Sequence, residues 1–233
     1  RALMQSGDVE PINAMIAALG DEGLNPLPIF AASLKDASAA SIVADLLSAS
    51  NCDVILNATS FAVSDPSKAN DAFSSRSVGP FGVVDAPVFQ IVLASNREAD
   101  WATSSAGLTA RDLAMNVALP ELDGRILTRA IGFKKPLSKD PLTHAMITHY
   151  TVANNRTRFV AKLAAKWAVL RHTDVSAKKV ALILANYPNK DGRIANGVGL
   201  DTPESAFVAL HDLAEAGYNF TDLPDSAAQL IAD

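Results

Sequence analysis

Over its first 60 residues the chain alternates amphipathic stretches with short apolar runs, and no other feature restricts the fold as tightly. Residues 9–22 set Ile12, Met15, Ile16 and Leu19 at the 3.6-residue spacing of an amphipathic helix. Asp8 is its expected N-cap, Pro11 suits the first turn, and Gly23 stands just past the end. Residues 27–31 form a short apolar run with the length of a buried strand. A second helix is expected from Asp36 or Ser38, with Ile42, Val43, Leu46 and Leu47 on its apolar face, and residues 53–57 are a second strand. Helix and strand exchanged through short connections predict βαβ units and a parallel sheet. The expected class is α/β, with flavodoxin- or Rossmann-like units.

Downstream, residues 64–86 are polar, rich in Gly, Pro and Ser, and without a period, which reads as a long loop. Residues 88–93 restore a strand, and 101–116 predict one or two helices with Thr109 as an N-cap. A strand over 126–133 is entered through the Asp123-Gly124 turn. Residues 134–155 read as a connection, followed by a helix over 155–170 with Phe159, Leu163, Ala164, Trp167 and Leu170 as its core stripe. A solvated basic stretch continues to Lys179. Residues 180–184 are the cleanest buried-strand pattern in the chain, followed by a Gly/Asn-rich loop. Thr202 as N-cap and Pro203 as first helical residue start a helix that Gly217 ends, with a further strand from Tyr218. The expected domains are a first α/β unit over 1–135, a connecting segment with a helix over 136–178, and a second, truncated α/β unit over 179–233.

Composition excludes several classes. With 49% hydrophobic residues in 233, the chain has ample material for a core and is not a disordered protein. One Cys rules out a disulfide framework and a multi-Cys zinc or iron–sulfur site. A net charge of −5 gives no electrostatic reason to expect nucleic acid. No apolar stretch reaches membrane-spanning length. The opening residues carry no initiator Met and no signal-peptide pattern, and the chain closes within a helical pattern. The expectation is a cytoplasmic fragment of a longer chain, with no membrane partner.

The segment 186–203 is the strongest candidate site. It joins the carboxyl end of a predicted strand to a helix N-terminus, where open α/β sheets bind ligands. Asn186, Asn189, Arg193 and Asn196 supply donors, Gly197 and Gly199 backbone freedom, and Asp191 completes the residues assigned to substrate binding. Gly192-x4-Gly197 lacks the Lys-Ser/Thr of a P-loop, and Gly197-x-Gly199 lacks the third glycine of the dinucleotide fingerprint. His144, His149, His172 and His211 lack partners at ligand spacing, so no metal site is expected. Cys52 reads as a small buried residue, and Glu121 and Asp123 read as solvated turn residues. No catalytic residue is assigned.

The same segment carries a family resemblance. Asn186-Tyr187-Pro188-Asn189-x-Asp191-Gly192-Arg193-Ile194-x-Asn196-Gly197-Val198-Gly199-Leu200-Asp201-Thr202-Pro203 resembles the large-subunit family shared by aerobic cobaltochelatase and magnesium chelatase. Residues 23–36, 56–62 and 111–125 agree with it, and the likeness runs over essentially the whole chain. The Asp-Gly-Arg-Ile-x-Asn-Gly pattern is similar to the cobalt branch, with Ala195 where Gly is common there. The resemblance implies a fragment of a tetrapyrrole-binding subunit in ATP-dependent insertion of Co2+ into hydrogenobyrinic acid a,c-diamide, on the route to cobalamin. Co2+ is then a substrate. ATP and Mg2+ are used by two AAA+-type partner subunits and are not bound by this chain. A magnesium chelatase large subunit acting on protoporphyrin, and a non-catalytic binding or assembly module, remain the alternatives.

Overall fold

The computed structural model describes residues 2–64, 79–184 and 199–232. The chain divides into two compact units, Arg1–Ala168 and Val169–Asp233. The first unit is built on one sheet. Helices α1 (Ala2–Ser6), α2 (Glu10–Asp21) and α3 (Ala37–Ser50) precede strand β1 (Ile55–Asn57). A 3-10 turn (Gly79–Val83), β2 (Val88–Ala94) and α4 (Glu98–Thr103) follow. Next comes a helical run of α5 (Ala110–Leu113), a π-helical turn (Ala114–Ala118) and α6 (Leu119–Glu121). Strands β3 (Ile126–Lys139) and β4 (Met146–Val152) then lead into α7 (Asn154–His172).

The strand order is β1-β2-β3-β4, parallel between the first three and antiparallel between β3 and β4. Alternation along the strands, shifted by an irregularity in the β2–β3 register, divides the core between clusters. Ile91 and Ile131 pack with Met15 and Ala18 of α2 and with Val160 and Ala161 of α7. Val92, Ala94, Ala130 and Phe133 pack with Trp101 and Leu108. A third cluster joins Val43 and Leu47 of α3 to Ile55, Val88 and Phe81. Gly132 lets α2 approach β3 closely, since a Cβ there would lie 2.9 Å from Pro11 Cγ. The α/β class with a parallel core is therefore observed, with one antiparallel strand added.

Several local expectations change. Val9, not Asp8, is the N-cap of α2. The Asp8 carboxylate instead accepts the Tyr150 N–H through Oδ1 at 2.9 Å and Oδ2 at 3.1 Å, tying the start of α2 to β4. The stretch read as a connection after Lys134 is the β3–β4 hairpin. Its turn is set by Asp140, whose Oδ1 accepts the N–H of Leu142 and of Thr143 and the Thr143 hydroxyl. Residues 27–31 and 180–184 form no strand, and Leu27, Phe30, Val180, Leu182 and Ile183 are exposed. An apolar run becomes a strand only when a neighbouring strand receives its backbone, and neither run pairs with one among the described residues.

Along α7 the buried stripe is Thr157, Val160, Ala161, Ala164 and Ala168, so small residues face the sheet. Phe159 and Trp167 lie at its rim. Phe159 carries the Arg129 guanidinium 3.4 Å from its ring centre, and Trp167 meets Phe89 edge-on at 5.7 Å.

In the second unit α8 (Thr202–Glu215) and α9 (Ala227–Ala232) are the α-helices beyond α7 among the described residues. The cap of α8 is Asp201, whose Oδ1 accepts the Glu204 N–H at 3.1 Å, one residue earlier than expected. Gly217 closes α8 as expected, but residues 218–220 form no strand. Among the described residues no helix is long and apolar enough to cross a membrane.

Candidate functional site

The most elaborate polar construction in the described residues surrounds the loop leaving the carboxyl end of β1. Asn57, the last residue of β1, pairs in register with Gln90 of β2, and both side chains are buried. Asn57 Nδ2 donates to Gln90 Oε1 at 2.8 Å and to the Thr59 carbonyl at 3.1 Å. Gln90 Nε2 donates to the same Thr59 carbonyl at 3.1 Å. Arg125, immediately before β3, reaches in from the next strand. Its Nη1 donates to Thr59 O at 3.3 Å and Gln90 Oε1 at 3.2 Å, and its guanidinium lies 5.5 Å from the centre of the Phe81 ring.

Arg125 is held by Asp123 through Nη2 to Oδ2 at 2.7 Å, and both side chains are fully buried. Asp123 also accepts the Val63 N–H at 2.7 Å, the Ser64 N–H at 2.9 Å and the Ser64 hydroxyl at 2.5 Å. Burial alone would push the Asp123 carboxyl up. The Ser64 hydroxyl, the two N–H groups and the Arg125 charge outweigh it and hold the carboxyl below its ordinary value. Burial lowers the Arg125 guanidinium, against the opposing pull of Asp123. Asp123 is thus a saturated structural anion, which corrects its reading as a solvated turn residue.

A second buried carboxylate, Asp112, acts on the same loop at one remove, by holding Asn116. Asp112 accepts Ser95 N–H at 2.9 Å, Ser95 Oγ at 2.7 Å and Thr109 Oγ1 at 3.0 Å through Oδ2, and Asn116 Nδ2 at 3.3 Å through Oδ1. Thr109 caps α5 as expected, accepting the Asp112 N–H at 3.1 Å. Asn116, in the π-helical turn, accepts the Ser60 hydroxyl at 2.6 Å, and the Met115 carbonyl accepts the Phe61 N–H at 2.8 Å. Single π turns inside helices recur at functional sites, since the register break frees a carbonyl and re-aims a side chain. Here it does both. Phe61, so held, has φ +67° and is 51% exposed.

Beneath β1 lies a cavity of about 620 Å3, lined by α2, α3, α7 and the 23–34 segment, with Asn57 and Thr59 on its wall. Its size lies within the range of small-molecule pockets. Cys52 is half-buried on the same wall and packs against the Val43 and Leu47 cluster. No group of His, Cys, Asp or Glu among the described residues has the arrangement of a metal site. His211 is engaged with the Pro224 carbonyl at 3.0 Å and stacks on Phe207.

Of the residues assigned to substrate binding, Asn186, Asn189, Asp191, Arg193, Asn196 and Gly197 lie outside the described residues. Gly199 is described. It precedes α8 with φ +76°, and a Cβ there would meet nothing within 4 Å. Sequence reasoning missed Asp123, Arg125, Asn57, Gln90, Asp112 and Asn116 as one construction. The available signal was the presence of polar residues inside or beside buried apolar runs, at 57, 90 and 125, which a buried strand tolerates only when they are paired.

Comparison with known proteins bears on both regions. The CobN/magnesium chelatase family model matches residues 1–233. The chain is 44% identical over 231 residues to the aerobic cobaltochelatase subunit CobN of a Sinorhizobium species and 42% identical over 231 to that of Pseudomonas aeruginosa. Each match takes in 99% of this chain and 18% of the relative. Among solved structures, the catalytic subunit of cobaltochelatase from Mycobacterium tuberculosis superposes with a TM-score of 0.82 at 30% identity, over 100% of this chain and 19% of that one. The chain spans under a fifth of the length of these relatives, and it belongs to the CobN/magnesium chelatase family.

Proposed function

We propose that the chain is part of the large, tetrapyrrole-binding subunit of an aerobic cobaltochelatase, which inserts Co2+ into hydrogenobyrinic acid a,c-diamide in cobalamin biosynthesis. The observation that carries this reading is the 44% identity to a cobaltochelatase subunit, sustained across 99% of the chain. The energy for insertion comes from ATP hydrolysed on two AAA+-type partner subunits. The lack of a P-loop in this sequence accords with that division of labour.

Insertion requires the macrocycle to be oriented, Co2+ to shed water, and the ring N–H protons to leave to a base. The structure supports a role in orientation. Asp123 and Asp112 each accept four hydrogen bonds, so neither carboxylate is free to take a ring proton. They rigidify the loop at the end of β1 instead, and a rigid loop loses little conformational entropy when a ligand docks. In this reading Arg193 and the amides of Asn186, Asn189 and Asn196 serve the peripheral carboxylates and amides of the macrocycle. The test is to titrate the full-length subunit with hydrogenobyrinic acid a,c-diamide and with protoporphyrin while following the Soret region. Saturable binding of the first and not the second is the expected result. The reverse preference would move the chain to the magnesium branch, and binding of neither would leave it an assembly module.

A further inference from the structure

We infer that Phe61 is a stacking platform for the conjugated face of the tetrapyrrole, an inference that rests on the macrocycle-binding reading above. Its backbone is the first argument. A bulky side chain at φ +67° stands in the left-handed region that such residues rarely occupy, and a glycine would hold that turn without strain. The strain persists because the surroundings over-determine it. The Phe61 N–H is taken by the Met115 carbonyl, Ser60 is held by Asn116, Thr59 is gripped by Asn57, Gln90 and Arg125, and Val63 and Ser64 are held by Asp123.

The second argument is where the ring goes. This machinery buries Ala62, next in the chain, to 4% exposure, yet leaves Phe61 51% exposed. A phenylalanine kept for packing gains its stability from burial, and here half of that gain is absent. The third argument is position. The loop leaves the carboxyl end of a parallel strand, where open α/β sheets place their ligands. Strain, exposure and position are together accounted for by a flat, apolar, polarisable ligand face. Offset stacking on an aromatic ring is the contact such a face makes best.

The test uses the full-length subunit and hydrogenobyrinic acid a,c-diamide as the probe. Phe61→Ala should weaken macrocycle binding about tenfold or more. Phe61→Gly should do the same while leaving the thermal midpoint equal to or above that of the parent, because glycine relieves the φ strain. Phe61→Trp should retain affinity and add a tryptophan emission that the macrocycle quenches saturably. Unchanged affinity in Phe61→Ala overturns the inference, as does a lowered midpoint in Phe61→Gly, which would make the ring a packing element. Absence of added quenching in Phe61→Trp overturns it as well. If the parent subunit binds no macrocycle, the macrocycle-binding reading falls and takes this inference with it. If the parent binds and the variants bind equally, only the role of Phe61 falls.

Discussion

The loop after β1 and the segment ahead of α8 look alike in sequence: each follows a short apolar run and is rich in small polar residues. The second has more glycine and asparagine and the longer motif, and by sequence it is the better site. The structure describes the first as a built object: Asp123, Arg125, Asn116 and the Met115 carbonyl hold Thr59, Ser60, Phe61, Val63 and Ser64, and buried Asp112 holds Asn116 in turn. Ahead of the second, residues 180–184 carry no strand and are largely exposed. The difference is that glycine and asparagine record where a backbone is permitted to turn, whereas buried charge records where a turn is held at a cost. Desolvating Asp123 and Arg125 is expensive, and the expense is offset by the bonds they make to each other, to the loop and to Gln90.

Breaking that pair is the largest expected effect. Asp123→Ala strands Arg125 in the interior and frees the Val63 and Ser64 N–H groups. It should cost about 3–5 kcal/mol of unfolding free energy, measured by urea denaturation. A loss below about 1 kcal/mol would show that the pair is solvated, and the contrast between the two loops would vanish. The pH dependence follows from the same carboxyl. Because its folded value is depressed, its stabilisation is present above the unfolded carboxylate value and is lost as pH falls through the folded one. The parent should therefore lose stability toward acid more steeply than Asp123→Asn, which a pH series of unfolding midpoints would check.

The next prediction addresses the second loop. If Arg193 pairs with a peripheral carboxylate of the macrocycle, Arg193→Ala in the full-length subunit should weaken binding by about 1.5–3 kcal/mol with the fold intact. Unchanged affinity and an unchanged chelatase rate would leave that segment a connector and the β1 loop the sole candidate. A third effect, of about 1–3 kcal/mol, is expected of Gly79→Ala. Gly79 has φ +59°, and a Cβ there would fall 2.6 Å from Val63 Cγ1, so the side chain collides with the loop that Asp123 holds. Near-neutral unfolding free energy in this variant would mean that the loop yields, and that its rigidity is overstated.

What could be read from the sequence follows from range. Helices α2, α3, α7 and α8 and strands β1, β2 and the first part of β3 were legible, because periodicity and caps are local. The Asp36 cap on Ala39 N–H at 2.8 Å and the Thr109 cap on α5 are examples. The β4 hairpin was missed because its Lys- and Thr-rich strands read as polar connection. Their pairing is fixed instead by the turn at Asp140 and by the Asp8 tether, 142 residues from Tyr150. Asp123 and Arg125 were invisible for the same reason: beyond each other, their partners lie 35 to 66 positions away. The resemblance did touch both ends of the network, since residues 56–62 and 111–125 carry it, without indicating what joins them.

The smallest expected effect separates two neighbours at the start of α8. By sequence Thr202 is the N-cap, yet Asp201 accepts the Glu204 N–H, and the Thr202 hydroxyl is buried without a partner among the described residues. A capping carboxylate also meets the positive end of the helix dipole, so Asp201→Ala removes two favourable terms and should cost roughly 1 kcal/mol. Thr202→Val keeps the shape and β-branching while deleting a hydroxyl that pays desolvation for no bond. It should be neutral or slightly stabilising. If thermal unfolding shows the two losses reversed, the helix starts one residue later than in the structure, with Thr202 as its cap. Gly199 and Leu200 would then belong to a different turn, and the approach to the 186–203 segment would have to be redrawn.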